Sequence, residues 1–523
     1  MGTRHGSLLS LLRAGQTPTE AQRTKTVTSI SKLCAELSQV NIVISELEHR
    51  KLAIETELAY HRGLLAPIRQ LPEELLQEIF LLLAGGKVDI CDPRAPVWQI
   101  ERVCRRWRGA ALDLQELWST IQVSMDSLTS WKAHVSPEVV NRLLDRCIER
   151  SGKRGLSIQF SESGAPKFFQ SIFDRLGTSS ARWESLIFSL SMLDEACVLP
   201  DGAPKLRALG LSGKPRSEKP IDLFSSAEKL THLRFYAIPN PFATILLPLH
   251  QVTHFVCTLC DFTSGEFVDM LRSMPRLFYL SLKWNNGTPL PSNPGSFIED
   301  PSEIIPLKHL RTLDVEATVW QCIALFEKLS VPRLRDLSLL PRSTESRKTM
   351  VKSPIPYDEI GEPIVLPSSP GTYLTGDHAA FLYLADTLIT CLRDRSNVAA
   401  SLTTLSLRTM DSHCAMRIVG ETSGVKTLKM ESVHDIPQVL LQLGWSGMYL
   451  PQLKSFDLVA QPGTAKTILG PLKVMVERRM GGLHSMNLAL REKGFDGLTE
   501  MVKDLRGVGM RSGINTTVNL FPL

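Results

Sequence analysis

Four side chains with metal-ligating chemistry stand close together in the sequence: His250, His254, Cys257 and Cys260. Imidazole and thiolate groups at such spacings can hold a zinc ion in a compact turn. The same segment fits a short strand, in which His254 and Phe255 point to opposite faces. Because one strand cannot gather all four groups around one ion, we expect no metal site and no cofactor.

The chain lacks the signatures of the common catalytic and nucleotide-binding sites. It contains no Walker loop, no G-x-G-x-x-G, no G-x-S-x-G and no kinase motif. We therefore expect that this chain is not an enzyme. The alternative is an enzyme hidden in irregular α/β structure, which would need a deep polar pocket with perturbed carboxylates.

The composition is that of an ordinary globular protein. Of the 523 residues, 43% are hydrophobic and 22% are charged, and the net charge of +5 is too small to indicate a nucleic-acid partner. No apolar run approaches the roughly 18 residues of a membrane span. Ten irregularly spaced cysteines are typical of a reduced intracellular protein, so we expect a cytoplasmic or nuclear location.

A heptad pattern near the amino terminus predicts one long helix. Residues 1–24 are small and polar and are expected to form a disordered tail. From Ile30 to His61 the seam positions step by 3 and 4 residues, and only Lys51 and His61 among them are polar. This pattern predicts a coiled-coil-like helix over residues 25–63. Two alternatives stay open: the seam joins two helices, in self-association or within the chain, or the helix simply packs on its own chain.

A module of three short helices is predicted at residues 67–120. Pro72 suits a first helical position, because its missing N–H group costs nothing there. Apolar residues at helical spacing predict the first two helices, with faces formed by Leu75, Leu76, Ile79, Phe80 and Leu83, and by Ile100, Val103, Cys104, Trp107 and Ala111. So small a module buries little apolar surface alone, and we expect a partner or the next domain to complete it.

The order of motifs in this module resembles the F-box. The resemblance is carried by Leu71-Pro72-Glu73-Glu74-Leu75, Glu78-Ile79-Phe80, Val103-Cys104-Arg105-Arg106-Trp107 and Leu117-Trp118. The loop between the second and third motifs is longer than in many F-boxes. With the preceding heptad helix and the repeats below, the chain resembles F-box proteins that are abundant in mushroom-forming fungi.

This resemblance implies a docking function. An F-box binds a Skp-family adaptor, which connects it to a cullin–RING (SCF) ubiquitin ligase. The contact positions of the family correspond here to Leu71, Pro72, Leu75, Ile79, Phe80, Val103, Cys104 and Trp107. An apolar helical face that docks in a partner's groove agrees with this assignment. The alternative is that these side chains form a core. For Trp107, and for Leu76 on the same module, core and interface are equally compatible with the pattern.

A degenerate unit recurs eleven times in residues 179–523. Each copy has apolar residues at its positions 1, 4 and 6, as in Leu206, Leu209 and Leu211, and most copies start 22–33 residues apart. That spacing lies in or near the period of leucine-rich repeats. Each unit predicts a short strand and a return segment, often helical. We therefore expect an α/β fold with an irregular leucine-rich-repeat-like solenoid, after a connector and cap at residues 121–178.

One segment interrupts the repeats. Residues 341–377 are rich in proline, serine and charge, which predicts a loop insert.

Side chains that alternate with the buried leucines face the other side of the strands. We predict that this face binds a protein target through His232, Arg234, His254, Tyr279, Asp314, Asp336, Lys429 and Asp457.

These patterns together predict a substrate-recognition subunit of a ubiquitin ligase. Its F-box would bind the adaptor and its repeats would recruit a protein target for degradation. The alternative is a coiled-coil and leucine-rich-repeat scaffold or interaction protein that recruits no ligase.

Overall fold

The computed structural model describes residues 12–13, 15, 17–92, 94–124, 137–160, 166–193, 199, 202–216, 219–239, 241, 245–259, 264–284, 304–342, 376–445, 449–460, 464–479, 482–492 and 498–522. Most of the predicted insert at 341–377 and the start of the predicted tail lie outside these ranges. The chain divides into two compact units, Met1–Ile79 and Phe80–Leu523. The fold is mixed helix and strand, as predicted.

The first unit is dominated by helix α1, Glu20–Leu64, and none of the residues of α1 is buried. Thr19 caps its start: the Gln22 N–H group donates to Thr19 Oγ1, and the Thr19 N–H group donates to Gln22 Oε1. The capping box places the helix start inside the tail predicted at residues 1–24. A 3₁₀ turn, Pro67–Gln70, and helix α2, Glu73–Leu83, follow. The boundary between the two units passes through α2.

The second unit contains the remaining α-helices of the described residues. They are α3 (Pro96–Val103), α4 (Arg105–Asp113), α5 (Gln115–Ser119), α6 (Pro137–Arg150), α7 (Pro166–Gly177), α8 (Ser264–Ser273), α9 (Val319–Lys328), α10 (Gly376–Ile389), α11 (Ser412–Glu421), α12 (Ile436–Trp445), α13 (Ala465–Arg478) and α14 (Leu498–Arg511). A π-helical turn, Thr390–Arg395, extends α10. Among the described helices, none is both long and apolar enough to cross a membrane.

The strands of the second unit form one large sheet and one small one. They are β1 (Val88–Asp89), β2 (Thr120–Val123), β3 (Leu156–Phe160), β4 (Trp183–Ser189), β5 (Ala208–Ser212), β6 (His232–Tyr236), β7 (His254–Thr258), β8 (Tyr279–Lys283), β9 (Ile305–Pro306), β10 (Thr312–Thr318), β11 (Leu329–Ser330), β12 (Asp336–Arg342), β13 (Thr404–Arg408), β14 (Thr427–Glu431), β15 (Ser455–Val459), β16 (Ser485–Glu492) and β17 (Asn515–Pro522).

The large sheet follows the order of the chain. Its 15 described strands run from β1 to β17, and β9 pairs only with β11, in a separate two-stranded sheet. Every neighbouring pair is parallel, and the register aligns equivalent residues, as in Leu209, Leu233, Phe255 and Leu280. Parallel neighbours require a return segment after each strand, and among the described residues helices such as α9 and α11 supply it.

All eleven predicted repeat cores lie on strands of this sheet, β4–β8, β10 and β12–β16. Their apolar residues at positions 1, 4 and 6 are buried, with at most 3% of the side chain exposed. Helix α8 and the end of α10 lie at the predicted return helices, residues 266–274 and 387–394. The repeat pattern therefore located both the strands and the buried side of the sheet.

Four strands of the large sheet were not predicted as repeats: β1, β2, β3 and β17. Strand β1 pairs with β2 through Val88 and Ile121, and β2 pairs with β3. The segment predicted as a helical and strand connector and cap, residues 121–178, contains most of β2 and all of β3, and both strands join the sheet. The sheet begins inside the helical module predicted at residues 67–120.

Candidate functional site

Four of the predicted docking residues lie in the first unit, around the start of α2. Pro72 precedes the helix, and Glu73 and Glu74 occupy its first turn, where carboxylates interact favourably with the helix dipole. Pro72 and Leu75 are exposed, whereas Leu71 and Ile79 are partly exposed. Leu76, for which sequence left core and docking face open, is completely buried. The helix start thus leaves apolar side chains open to a partner.

The carboxyl end of α2 also exposes leucines. Leu82 and Leu83 are 82% and 53% exposed. The helix ends where Gly86 adopts a positive φ of 70° and its N–H group donates to the Leu81 carbonyl. Sequence reasoning missed Leu82, although it follows Leu75 by seven residues, which is the spacing of one helical face.

In the second unit, the predicted docking residues Val103 and Cys104 form the corner between α3 and α4. Val103 is the last residue of α3 and is 58% exposed. Cys104 has extended backbone (φ −162°, ψ 171°), and its Sγ accepts a hydrogen bond from the Trp107 N–H group. Cys104 therefore acts as the N-cap of α4, a structural role that sequence reasoning did not assign to it.

Phe80, a predicted docking residue, lies in the core, which is the alternative that the sequence left open. Its side chain is completely buried, and its ring centroid lies 5.1 Å from that of Trp107. Trp107 is half-buried. The pair therefore stabilises the module through Phe80, while Trp107 still presents part of its ring to solvent.

Two further tryptophans hold the second part of the module together. The rings of Trp98 and Trp118 lie 5.7 Å apart, and each indole N–H group donates to a backbone carbonyl. The guanidinium group of Arg150 lies 4.4 Å from the Trp118 ring centroid and pairs with Glu101. These contacts fix α3, α5 and α6, and so the position of Val103 at the end of α3.

The sequence of this module matches a known family model. The model, F-box-like, covers residues 68–124. The chain therefore carries an F-box-like domain. The match ends after β2, so the F-box-like domain includes the first two strands of the large sheet. A search of curated proteins finds no match to the chain.

Three predicted target-binding rings lie side by side on neighbouring strands of the sheet. His232, His254 and Tyr279 occupy equivalent register positions on β6, β7 and β8. The two imidazole rings are stacked, with centroids 4.3 Å apart and planes 8° apart. Tyr279 continues the stack at 6.0 Å from His254. The structure therefore brings these three residues into one surface strip.

Arg234 lies two residues after His232, on the same exposed side of β6. Desolvation lowers the pKa of His232, and the charge of Arg234 lowers it further. Desolvation also lowers the pKa of His254, with a smaller contribution from His232. Both imidazoles are therefore neutral at pH 7, and Arg234 carries the positive charge of this strip.

The acidic residues of the predicted target face are held by neighbours in the sheet. Asp314 accepts a hydrogen bond from Ser281 and pairs with Arg408. Asp336 accepts hydrogen bonds from Thr312 and Thr403. Asp457 accepts a hydrogen bond from Asn487 and forms an ion pair with Lys429. These carboxylates are less available to a target than Arg234 and the rings, because part of their hydrogen-bonding capacity is used within the sheet.

The described residues show no cluster of three or more His, Cys, Asp or Glu side chains that could hold a metal ion. Of the four candidate ligands considered above, Cys260 lies outside the described ranges. Burial raises the pKa of the Cys91, Cys147 and Cys414 thiols to about 12. These thiols stay protonated at neutral pH and are poor nucleophiles.

Proposed function

We propose that this protein is a substrate-recognition subunit of an SCF-type ubiquitin ligase. The F-box-like domain docks on a Skp-family adaptor, and the large sheet recruits a protein target. The observation that carries the proposal is the F-box-like match at residues 68–124. The proposal assigns ubiquitin transfer to the partner ligase, and no catalysis to this chain.

The exposed apolar side chains of the F-box-like domain support adaptor docking. Leu75 is 44% exposed in the first unit, and Val103 is 58% exposed in the second. Burying a leucine side chain contributes about 1.5–3 kcal/mol, and about 1.4 kcal/mol corresponds to a tenfold change in affinity. A few such residues suffice for a specific helix-in-groove interaction.

We interpret the large sheet as an irregular leucine-rich-repeat-like solenoid. In support, its parallel strands follow chain order and bury the same positions in each repeat. The exposed side of β6–β8 is the favoured target-binding face, since Arg234 and the stacked rings lie there. The resemblance to fungal F-box proteins agrees with this arrangement of helix, F-box and repeats.

One observation favours the scaffold as a second candidate function. Strands β1 and β2 belong to the F-box-like domain and also start the large sheet. The domain therefore has a structural role at the end of the sheet, whether or not it binds an adaptor. Adaptor binding distinguishes the two functions.

The test of adaptor docking uses the full chain, a purified Skp-family adaptor and titration calorimetry. We expect Leu75→Glu to weaken binding at least tenfold, because it places a charge on the docking face. Leu112→Glu is the matched control, since Leu112 is 37% exposed on α4 and outside the predicted contact set. The Leu112 variant should bind like the wild type.

Phe80→Ala tests whether Phe80 stabilises the core, through the free energy of unfolding measured by urea denaturation. Because Phe80 is completely buried, we expect the substitution to lower the free energy of unfolding by about 3–5 kcal/mol. Leu75→Glu should leave stability nearly unchanged. If the wild-type chain does not bind the adaptor at micromolar concentration, the ligase function is wrong and the scaffold is favoured.

A further inference from the structure

Helix α1 carries an apolar seam along one side, and none of the residues of this helix is buried among the described residues. The helix has 45 residues, a length of about 68 Å. Eight of the ten seam positions are apolar, and each of these side chains is 45–63% exposed: Ile30, Leu33, Leu37, Val40, Ile44, Leu47, Ile54 and Leu58. An apolar strip of this length on an isolated helix indicates a partner surface.

The pattern of the seam indicates a helix of the same kind as the partner. In a heptad lettered a to g, Ile30 and Ile44 occupy a positions, and each is followed by leucine at d, Leu33 and Leu47. Isoleucine at a with leucine at d favours two-stranded coiled coils, whereas Leu37 with Val40 follows the reverse order. The lone polar a residue, Lys51, supports the two-stranded state, because such a residue specifies register and oligomer state at a cost in stability. The strict 3.5-residue period favours a supercoiled pair of helices over packing on a globular surface.

Charges beside the seam distinguish the two orientations of such a pair. In a parallel, in-register pair, Arg50 at g faces Glu55 at e of the second copy, and Glu57 faces Arg62. Both pairs are attractive, each occurs twice, and no like charges meet at the other e and g positions. In the fully overlapped antiparallel pair, Glu36 faces Glu57 and no opposite charges meet.

We infer that α1 joins two copies of this chain in a parallel, in-register, two-stranded coiled coil. Lys51 is the one seam position where like charges meet. Its long side chain can reach the edge of the seam, and on its own helix its Nζ atom lies 3.8 Å from Glu55. Two chains leave such a coil at the same end, which makes the assembly bivalent for any partner that each chain binds. The inference stands independently of the proposed function.

The first test measures the mass of the full chain by sedimentation equilibrium. We expect about 116 kDa, twice the chain mass of 58.2 kDa. Leu37→Glu with Leu47→Glu should yield the monomer, and glutamate maintains helix propensity. The matched control is Ile42→Glu with Leu52→Glu, whose side chains are off the seam but equally exposed. A monomeric wild type, a larger oligomer, or equal effects of the two double variants would overturn the inference.

The second test determines the orientation with spin labels on Cys34. This is the one exposed cysteine among those described, and a Cys34→Ser chain provides the background. The parallel pair places the two labels across the coil, under about 25 Å apart. The antiparallel pair shifts them by 23 residues along the axis, about 35 Å. The longer distance would overturn the parallel arrangement.

A charge swap tests the same orientation without labels. Arg50→Glu should raise the dimer dissociation constant about tenfold, because two like-charged Glu–Glu contacts replace two attractive ones. Adding Glu55→Arg should recover part of the lost affinity, since the pairs are then opposite in sign again, while Lys51 loses its Glu55 neighbour on the same helix. Failure of the second substitution to rescue the first contradicts the proposed register.

Discussion

At the residue scale, the stacked rings of His232 and His254 make the stability of the folded chain depend on pH. The rings are 4.3 Å apart, and burial lowers the pKa of both imidazoles below their ordinary value. A second charge beside the first, or beside Arg234, is unfavourable. At these two positions the unfolded chain therefore binds more protons than the folded chain as the pH falls below about 6.5.

Stability should therefore rise with pH across this range. Between pH 5 and pH 7 we expect the melting temperature of the wild type to increase, and to level off above the unfolded-state pKa of histidine. Replacing both residues, His232→Gln with His254→Gln, should flatten this increase. His49→Gln, an exposed substitution on α1, is the control and should keep the wild-type slope. Equal slopes in the wild type and the double variant would contradict the coupling.

At the element scale, the segment between α11 and β14 passes very close to the backbone that precedes β13. Gly424 lies between α11 and β14, and a Cβ atom there would overlap the carbonyl oxygen of Ala400. This close approach occurs in a compact repeat, whose start lies only 23 residues before that of the next. Gly109 on α4 is the opposite case, because nothing lies within 4 Å of an added Cβ atom.

Two glycine-to-alanine substitutions should therefore have opposite effects. Gly424→Ala should lower the free energy of unfolding by about 1–3 kcal/mol, because a backbone carbonyl cannot move aside as a side chain can. Gly109→Ala should raise it by about 0.5–1 kcal/mol by restricting the unfolded chain in a helical position. Urea denaturation followed by circular dichroism measures both. An unchanged Gly424→Ala protein would show that the segment relaxes easily.

At the scale of the whole molecule, the large sheet continues across the predicted insert. Strands β12 and β13 are direct neighbours, with Leu337 paired to Leu405, although their repeats start 68 residues apart. Elsewhere a strand leads to its helix within a few residues, as from Arg408 at the end of β13 to Ser412 at the start of α11. Pairing of the strands therefore does not depend on a long connection.

Replacing residues 343–375 with a four-residue Gly/Ser linker should leave the fold intact. A shorter connection has a lower closure entropy, about 0.6 kcal/mol per halving of its length, so stability should be unchanged or higher. Thermal unfolding and far-ultraviolet circular dichroism measure the outcome. A loss of β-structure in the shortened chain would mean that the segment contributes to the sheet.

Much of the fold could be predicted from local patterns. The heptad predicted α1 and the repeat predicted the strands β4–β8, because side-chain period depends only on nearby residues. The F-box-like domain was recognised from ordered short motifs. For individual site residues the pattern was ambiguous. An apolar position on a helix indicates a side chain that becomes buried, but it does not show whether the chain's own core or a partner protein buries it. Phe80 and Leu75 have similar patterns and opposite exposure.

Local periodicity and motif order in the sequence thus determined the helix, the repeats and the F-box-like domain. Only the tertiary structure decided that Phe80 packs on Trp107, that Cys104 caps α4, and that β1 and β2 join the large sheet. The physical reason is that burial and strand pairing arise between residues distant in the chain, such as Val88 and Ile121. Periodicity specifies which face of an element is apolar, and packing determines what covers it.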